Sequence, residues 1–234
     1  MSKYRIRLLV PLTLLEYLGQ YVSEGKKQLI DEILDKRTRH LTVVLEDIYH
    51  SQNASAVIRS CDCFGIQDLH VIENKHEYRI NPRVVHGASK WVDIIPYSGE
   101  IDNSTNCFTH LKNKGYKLIG TVPDQNAVDI SKIDISDPVA LVFGTEKEGL
   151  SDKAKAHCDG FATIPMYGIT ESFNISVSAA LCMNILAQKD FNSEVDWRLK
   201  ESEKEELKLN WYRKVVHRSD LLEKEFFKSG NYLT

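Results

Sequence analysis

Three blocks of polar residues in this 234-residue chain have types and spacings that could hold or transform a ligand. The first is N-A-S-A-V-I-R, in which Asn53 and Arg59 offer an amide and a guanidinium that can bind phosphate or orient a hydroxyl. The second, FGTEKEGLS, spans 143–151 and carries two glutamates. The third, IPMYGITESFNISVSAA, contains Ser172 and Asn174. Each block follows an apolar run of strand length, where open α/β sheets place ligand sites.

Several common chemistries are excluded by what the blocks lack. The loop after Phe143 has the glycine spacing of a phosphate-binding P-loop, but Leu150 stands where the lysine that reaches the phosphates is required. The chain has no G-x-G, so the usual dinucleotide fingerprint is missing. It also has no H-E-x-x-H, no C-x-x-C and no G-x-S-x-G elbow. Neither a metal centre nor a serine hydrolase is therefore predicted.

Composition is that of an ordinary soluble globular protein, with 42% hydrophobic and 27% charged residues. The net charge is −3, so a polyanionic partner would need locally clustered Lys and Arg. The five cysteines contain no C-x-x-C pair and are predicted to be free thiols in a reducing compartment. No apolar run is long enough for a membrane span, and the N-terminus lacks a signal peptide. A cytoplasmic protein with no membrane partner is expected.

Strand and helix patterns alternate from Leu41 onward. Strands are predicted at 41–46, 69–73, 91–97, 116–122, 139–143 and 161–166, and helices at 53–64, 100–114 and 172–188. Strands separated by helices indicate βαβ units, hence an α/β fold with a mainly parallel sheet and helices on both faces. Asn53 is predicted to cap its helix, and Ser172 and Asn174 to open the last one. This domain, 41–190, would be flanked by helical extensions at 1–40 and 191–234.

Both extensions are predicted to be helical and to carry basic residues. Those singled out as possible RNA contacts are Lys36, Arg37, Arg39, Arg213, Lys214 and Arg218. A solvated helix face explains such charges as well as an RNA-facing patch does. The tail also has an apolar stripe, formed by Leu207, Trp211, Val215, Leu222 and Phe226. We expect this stripe to pack on the body of the protein or on a partner subunit rather than on a membrane.

Taken in order, the three blocks resemble motifs 1, 2 and 3 of the SpoU/TrmH branch of the SPOUT methyltransferases, over about residues 41–188. The resemblance implies a deep trefoil knot, a homodimer with a site completed across its interface, and S-adenosylmethionine bound in a bent form by the knot loops. Five residues match positions that line the cofactor pocket in this family, namely Thr121, Gly144, Ile164, Met166 and Phe173.

The same resemblance implies roles for the polar residues. The family proposal makes the arginine of motif 1, here Arg59, the general base, but a guanidinium has a pKa above about 12. We expect Arg59 instead to hold the adjacent phosphate and to stabilise the developing alkoxide. Asn53 would orient Arg59 or the substrate, and Glu146 would position the RNA or groups of the partner subunit. Ser172 and Asn174 would bind phosphate or the carboxylate end of the cofactor.

The length of the terminal extensions bears on the substrate. Ribosomal-RNA members of the branch usually carry a separate RNA-binding domain, for which forty residues are too few. The resemblance therefore implies a tRNA substrate, methylated on the 2′-hydroxyl of the D-loop guanosine at position 18. Two alternatives stay open. One is the same reaction on ribosomal RNA or another tRNA nucleotide, and the other is a non-catalytic RNA-binding module with this fold.

Overall fold

The computed structural model describes residues 13–124 and 126–229. These residues form two compact units, one of 37–198 and one that joins the terminal segments 13–36 and 199–229. The sequence suggests two separate extensions bounded at residues 40 and 190. In the structure the ends of the chain belong to the same unit, and the boundaries fall after Lys36 and after Arg198.

A seven-stranded sheet forms the centre of the larger unit, counted over the described residues, with its strands in the order β3-β2-β1-β6-β4-β7-β5. The strands are β1 (Leu41–Glu46), β2 (Asp68–Ile72), β3 (Asp93–Tyr97), β4 (Lys117–Thr121), β5 (Val128–Asp129), β6 (Val139–Phe143) and β7 (Gly160–Thr163). All six neighbouring pairs are parallel. The predicted parallel α/β sheet is thereby confirmed.

Helices cover both faces of this sheet, because alternate side chains of its central strands are apolar on both sides. Val43 and Leu45 of β1 belong to one buried cluster, and Val44 belongs to the cluster on the opposite face. The first cluster includes residues of α3, α4 and α7, and the second includes residues of α5 and α6. These helices are α3 (Ser51–Cys63), α4 (Pro82–Val85), α5 (Asn103–Asn113), α6 (Asp152–His157) and α7 (Ile175–Phe191).

Element boundaries differ from the predictions mainly at the edge where the strands end. Helix α3 begins two residues early, with His50 in the N-cap position, so Asn53 lies in the first turn and does not cap it. Strand β7 ends at Thr163, which leaves Ile164–Met166 irregular. Helix α7 begins at Ile175, and Asn174 is its cap because its Oδ1 accepts the Ser176 N–H at 2.9 Å. The two-residue strand β5 and the six-residue helix α6 were not predicted, since both are too short for a periodic signal.

The terminal unit consists of four helices, counted over the described residues, namely α1 (Leu14–Gly19), α2 (Glu24–Leu34), α8 (Glu201–Val215) and α9 (Ser219–Ser229). Helix α1 packs on both α8 and α9, and the Tyr17 and Phe226 rings lie 5.1 Å apart. Leu207 and Trp211 of the predicted stripe are buried, as is Phe226. No helix within 13–124 and 126–229 is long and apolar enough to cross a membrane.

One buried carboxylate, that of Asp190, lies at the end of α7. The Asp190 side chain is 1% exposed, and neither of its oxygens has a hydrogen-bond partner among the described residues. The Nε2 of His40 lies 3.8 Å from Asp190 Oδ1. Burial raises the pKa of Asp190 to about 6. Folding therefore favours the protonated form of this side chain.

The burial of Asp190 predicts that Asp190→Asn stabilises the folded protein at high pH but not at low pH. The pKa of an unfolded aspartate is about 3.9, so ionisation of Asp190 costs folding free energy as the pH rises through 6. The substitution should raise the free energy of unfolding by about 1–3 kcal/mol near pH 8 and change it little near pH 4. Urea unfolding at both pH values measures this, with exposed Asp196→Asn as the control. An equal effect at both pH values would contradict the prediction.

Candidate active site at the carboxyl edge of the sheet

A cavity of about 540 Å³ opens at the edge where β4, β6 and β7 end, which is a common place for ligands in parallel sheets. It is lined by all five residues predicted for the cofactor, Thr121, Gly144, Ile164, Met166 and Phe173. Three of the predicted catalytic residues, Glu146, Ser172 and Asn174, also line it. The structure thus brings together residues that are separated by up to about fifty positions in the sequence. Their roles remain predictions.

The loop after β6, residues 144–150, is closed into a ring that forms one wall of the cavity; we call it the motif 2 loop. The Thr145 N–H donates to the Gly149 carbonyl at 2.9 Å, and the Gly149 N–H donates back at 3.1 Å. A Cβ on Gly144 would lie 2.1 Å from the Gly149 oxygen. Gly144 is therefore required because the loop closes directly over its Cα.

The chain between β7 and α7 forms the opposite wall. Residues 166–173 make no hydrogen bond with other described residues, so their backbone N–H and C=O groups are open to water or to a ligand. Apolar side chains adjoin them in the cavity, among them Leu150, Phe173 and Cys182. A flat heteroaromatic ring with polar edges would match such a lining, since the side chains supply apolar contact and the backbone supplies hydrogen bonds.

Asn53 joins the three motifs at the rim of the cavity. Its amide nitrogen donates to Glu146 Oε1 at 2.8 Å, and its amide oxygen accepts from Asn174 Nδ2 at 3.3 Å. The same Asn174 holds the first turn of α7 through its cap. Ser172 lines the cavity without a hydrogen-bond partner among the described residues. One residue from each motif therefore contributes to a connected polar group, Glu146–Asn53–Asn174.

Arg59 does not join this group. It lies six residues after Asn53 on α3, about 9 Å along the helix axis and on another side of it. Its side chain is exposed and forms no ion pair with any residue that the structure describes. The Arg59 guanidinium therefore lies outside the cavity of its own chain, where it can bind an anion.

Two of the predicted RNA contacts, Arg37 and Arg39, have charges that are balanced by carboxylates of the same chain. The Arg37 side chain is 2% exposed and is ion-paired with Asp62. The Arg39 guanidinium binds Asp68 at 3.1 Å and Asp93 at 3.3 Å. Both arginines therefore tie the start of β1 to its neighbours in the sheet domain. The acidic partners lie more than twenty residues away in the sequence, so no local pattern reveals the pairing.

The other four predicted RNA contacts are exposed, namely Lys36, Arg213, Lys214 and Arg218. Arg213 is also bonded to Glu223 at 2.8 Å, so part of its charge is balanced. Arg218 has a left-handed backbone with φ of 54° and stands before the first residue of α9. Binding of RNA by these residues remains a prediction.

Sequence reasoning missed Lys155 as a cavity residue. It lies on α6, in the spacer between motifs 2 and 3, and its Nζ is 3.7 Å from Asp152. The cap of α6, a bond from the Ala154 N–H to Ser151 Oγ at 3.0 Å, is the signal that could have located this helix. Among the described residues no group of three or more His, Cys, Asp or Glu is placed to hold a metal ion.

The closed motif 2 loop predicts that Gly144→Ala impairs ligand binding. The added methyl group would collide with the Gly149 carbonyl, so the loop would have to open and the cavity wall would shift. We expect the Kd for S-adenosylmethionine, the ligand implied by the motifs, to rise about tenfold or more. Isothermal titration calorimetry measures it. Gly160→Ala is the matched control, since a Cβ there would meet its nearest atom at 3.6 Å. Equal affinities for the two variants would contradict the prediction.

Comparison with known proteins agrees with this geometry. Residues 40–184 match the model of the SpoU rRNA Methylase family. The tRNA (guanosine(18)-2′-O)-methyltransferase of Borreliella burgdorferi is 38% identical over 206 residues, which cover 88% of this chain and 93% of that protein. The enzyme of the same name from Thermus thermophilus is 33% identical over 161 residues, covering 69% of this chain and 81% of that protein.

A solved structure extends the likeness to three dimensions. The A. aeolicus TrmH/SpoU tRNA modifying enzyme has a TM-score of 0.74 at 27% identity, covering 83% of this chain and 98% of that one. The match of the family model covers more than half of the chain and includes all three motifs. The resemblance stated from the motifs is thereby confirmed, and the chain belongs to the SpoU rRNA methylase family.

Proposed function

We propose that this protein transfers the methyl group of S-adenosylmethionine to the 2′-hydroxyl of the guanosine at position 18 of tRNA. The observation that carries the proposal is the convergence of the three family motifs, through Asn53, Glu146 and Asn174, at the rim of one cavity. The substrate is supported by two relatives, both named tRNA (guanosine(18)-2′-O)-methyltransferase, which are 38% identical to this chain over 206 residues and 33% identical over 161 residues.

The cavity has the chemistry that the cofactor needs. The open backbone groups of Met166, Ser172 and Phe173 and the apolar side chains of Leu150 and Phe173 suit adenine and ribose. Ser172 and Lys155 offer a hydroxyl and an ammonium to the carboxylate of the methionine part. When bound, S-adenosylmethionine supplies a methyl group already activated by its sulfonium. The protein therefore has to align the acceptor oxygen and manage its proton.

Arg59 and Asn53 act on the acceptor nucleotide. The exposed guanidinium of Arg59 binds a phosphate next to the acceptor ribose and stabilises the negative charge that develops on the 2′-oxygen. Asn53 and Glu146, fixed to each other at 2.8 Å, hold the ribose at the rim of the cavity. The proton leaves through phosphate or water, because the guanidinium is charged at every physiological pH.

The position of Arg59 supports a site shared between two copies of the chain. Arg59 is outside its own cavity, so we propose that it acts in the cavity of a second subunit in a homodimer. Exposed apolar side chains beside the cavity support such an interface. Tyr167 and Ile169 are fully exposed, and Val177 and Leu181 of α7 are partly exposed. In this arrangement each of the two sites takes Arg59 from one subunit and the cavity from the other.

Further parts of the proposal rest on the family. The deep trefoil knot would lie where the motif 2 loop and the 164–174 segment meet. The exposed Lys36, Lys214 and Arg218 of the terminal unit would bind tRNA phosphates, which would make affinity fall steeply with salt. A tRNA substrate and the free cysteines support a cytoplasmic location.

The experiment that tests this function is methyl transfer from labelled S-adenosylmethionine to unmodified tRNA transcript. We expect one alkali-resistant linkage, after guanosine 18, and no transfer to a transcript with 2′-deoxyguanosine at that position. Arg59→Ala should lower the rate by about a hundredfold or more, since the charge that it stabilises exists only in the transition state. Its Kd for S-adenosylmethionine should stay unchanged. Transfer to ribosomal RNA or to another nucleotide would contradict the proposed substrate. Transfer to no RNA would contradict the proposed reaction.

A second experiment tests the shared site. We would unfold and refold the Arg59→Ala and Gly144→Ala variants together in equal amounts, and assay them at an S-adenosylmethionine concentration well below the wild-type Kd, where each variant alone is expected to keep at most about a tenth of the wild-type activity. If Arg59 acts across the interface, every mixed dimer keeps one intact site, and about a quarter of the wild-type activity returns. If Arg59 acts within its own chain, no mixed dimer has an intact site. No recovery of activity would therefore contradict the shared site.

A further inference from the structure

An exposed aromatic cluster stands at the start of α3, outside the residues assigned above. The Tyr49 side chain is 65% exposed. Its ring lies 4.9 Å from that of His50 at an interplanar angle of 78°, and 5.1 Å from that of His76 at 74°. Both neighbours thus meet Tyr49 at steep angles, and neither is stacked on it face to face. Most of the Tyr49 side chain is therefore exposed, and its apolar ring surface can contact a flat partner.

One buried carboxylate, that of Asp47, fixes the two backbone segments that carry the cluster. Asp47, two residues before Tyr49, has a left-handed backbone with φ of 53°. Its Oδ1 accepts N–H groups from Asn74 at 2.7 Å, Lys75 at 2.8 Å and His76 at 3.4 Å. The loop that presents Tyr49 and the loop that presents His76 are therefore tied to the same atom. The cluster is part of the rigid sheet edge and not a mobile tip.

Two links join the cluster to the candidate active site. The His50 carbonyl accepts the Asn53 N–H at 2.9 Å, and the Asn53 side chain is bonded to Glu146. On the other side, Lys75 Nζ lies 3.1 Å from Glu148 of the motif 2 loop. Tyr49 therefore borders the acceptor side of the site, within a few residues of the amide that would hold the ribose.

The segment 75–90 carries five exposed basic side chains, namely Lys75, Arg79, Arg83, His86 and Lys90. Lys75 and Arg79 are bonded to glutamates, whereas the Arg83 guanidinium forms no ion pair with any described residue. An exposed ring together with exposed basic side chains is typical of surfaces that bind single-stranded nucleic acid, where the charges meet phosphates and the ring meets a base.

We propose that Tyr49 is a stacking platform for an unpaired base of the RNA substrate adjacent to the nucleotide that receives the methyl group. His50 and His76 pack against the ring at steep angles, and Arg83, seven residues after His76, binds the RNA backbone. The proposal rests on the proposed function for the identity of the RNA. It adds a positioning role for a residue outside the three motifs. Stacking on Tyr49 contributes mainly to RNA binding, so its loss should raise KM more than it lowers kcat.

The test compares Tyr49→Phe, which keeps the ring, with Tyr49→Leu, which keeps apolar bulk without it. For Tyr49→Leu we expect the KM for tRNA to rise about tenfold while kcat changes less than twofold. Tyr49→Phe should stay within about twofold of wild type in both constants. The Kd for S-adenosylmethionine and the Tm should be unchanged in both variants, because Tyr49 does not line the cavity. A wild-type KM for Tyr49→Leu would overturn the proposal.

A binding measurement makes the result independent of turnover. A transcript with 2-aminopurine on one side of the acceptor guanosine should lose fluorescence on binding to wild type and to Tyr49→Phe, and keep it with Tyr49→Leu. Equal quenching by all three proteins would also overturn the proposal. So would a change of sedimentation from dimer to monomer in Tyr49→Leu, which would assign the ring to a protein interface. If wild type bound and quenched the RNA without methylating it, the proposed function would fail and the platform would stand.

Discussion

The candidate site depends on two adjacent carboxylates at the end of β1. Glu46 is buried and accepts the Ser104 hydroxyl at 2.9 Å, the Ser151 hydroxyl at 2.8 Å and the Ser151 N–H at 3.1 Å. Asp47 accepts the three N–H groups of 74–76. Together the two carboxylates fix three parts of the chain, namely residues 74–76 after β2, Ser104 in α5 and Ser151 in the loop that follows β6. A buried carboxylate that loses such donors is costly, so these bonds hold the loops in register with the sheet.

These anchors divide the edge of the sheet into two regions. Ser151, held by Glu46, ends the motif 2 loop and begins α6, and so places one wall of the cavity. The residues held by Asp47 carry the aromatic cluster. Asn53 lies between the two regions and is bonded to the motif 2 loop through Glu146. In the proposed reaction the first region holds the methyl donor and the second holds the RNA, with the polar group of Asn53 at their border.

The sequence predicts those parts of the structure that rest on local patterns. Strand β6 was predicted with its observed bounds, because a continuous apolar run ends there at a glycine. The parallel sheet followed from the alternation of strands and helices. By contrast, Asn53 was predicted as a helix cap, whereas its amide is used by Glu146, 93 residues away in the chain. Arg37 was predicted to face RNA, but it pairs with Asp62 inside the fold. Pairings across such distances depend on the tertiary fold, and a single sequence contains no local signal for them.

The motif 2 loop contacts both regions, and this has a thermodynamic consequence. Its residues line the cavity, and two of them also hold neighbouring segments, Asn53 through Glu146 and Lys75 through Glu148. If one ligand rigidifies the motif 2 loop, a second ligand that contacts the same loop loses less conformational entropy when it binds. Cooperativity of this kind is reciprocal, so the factor by which the methyl donor tightens RNA binding equals the factor by which RNA tightens binding of the donor.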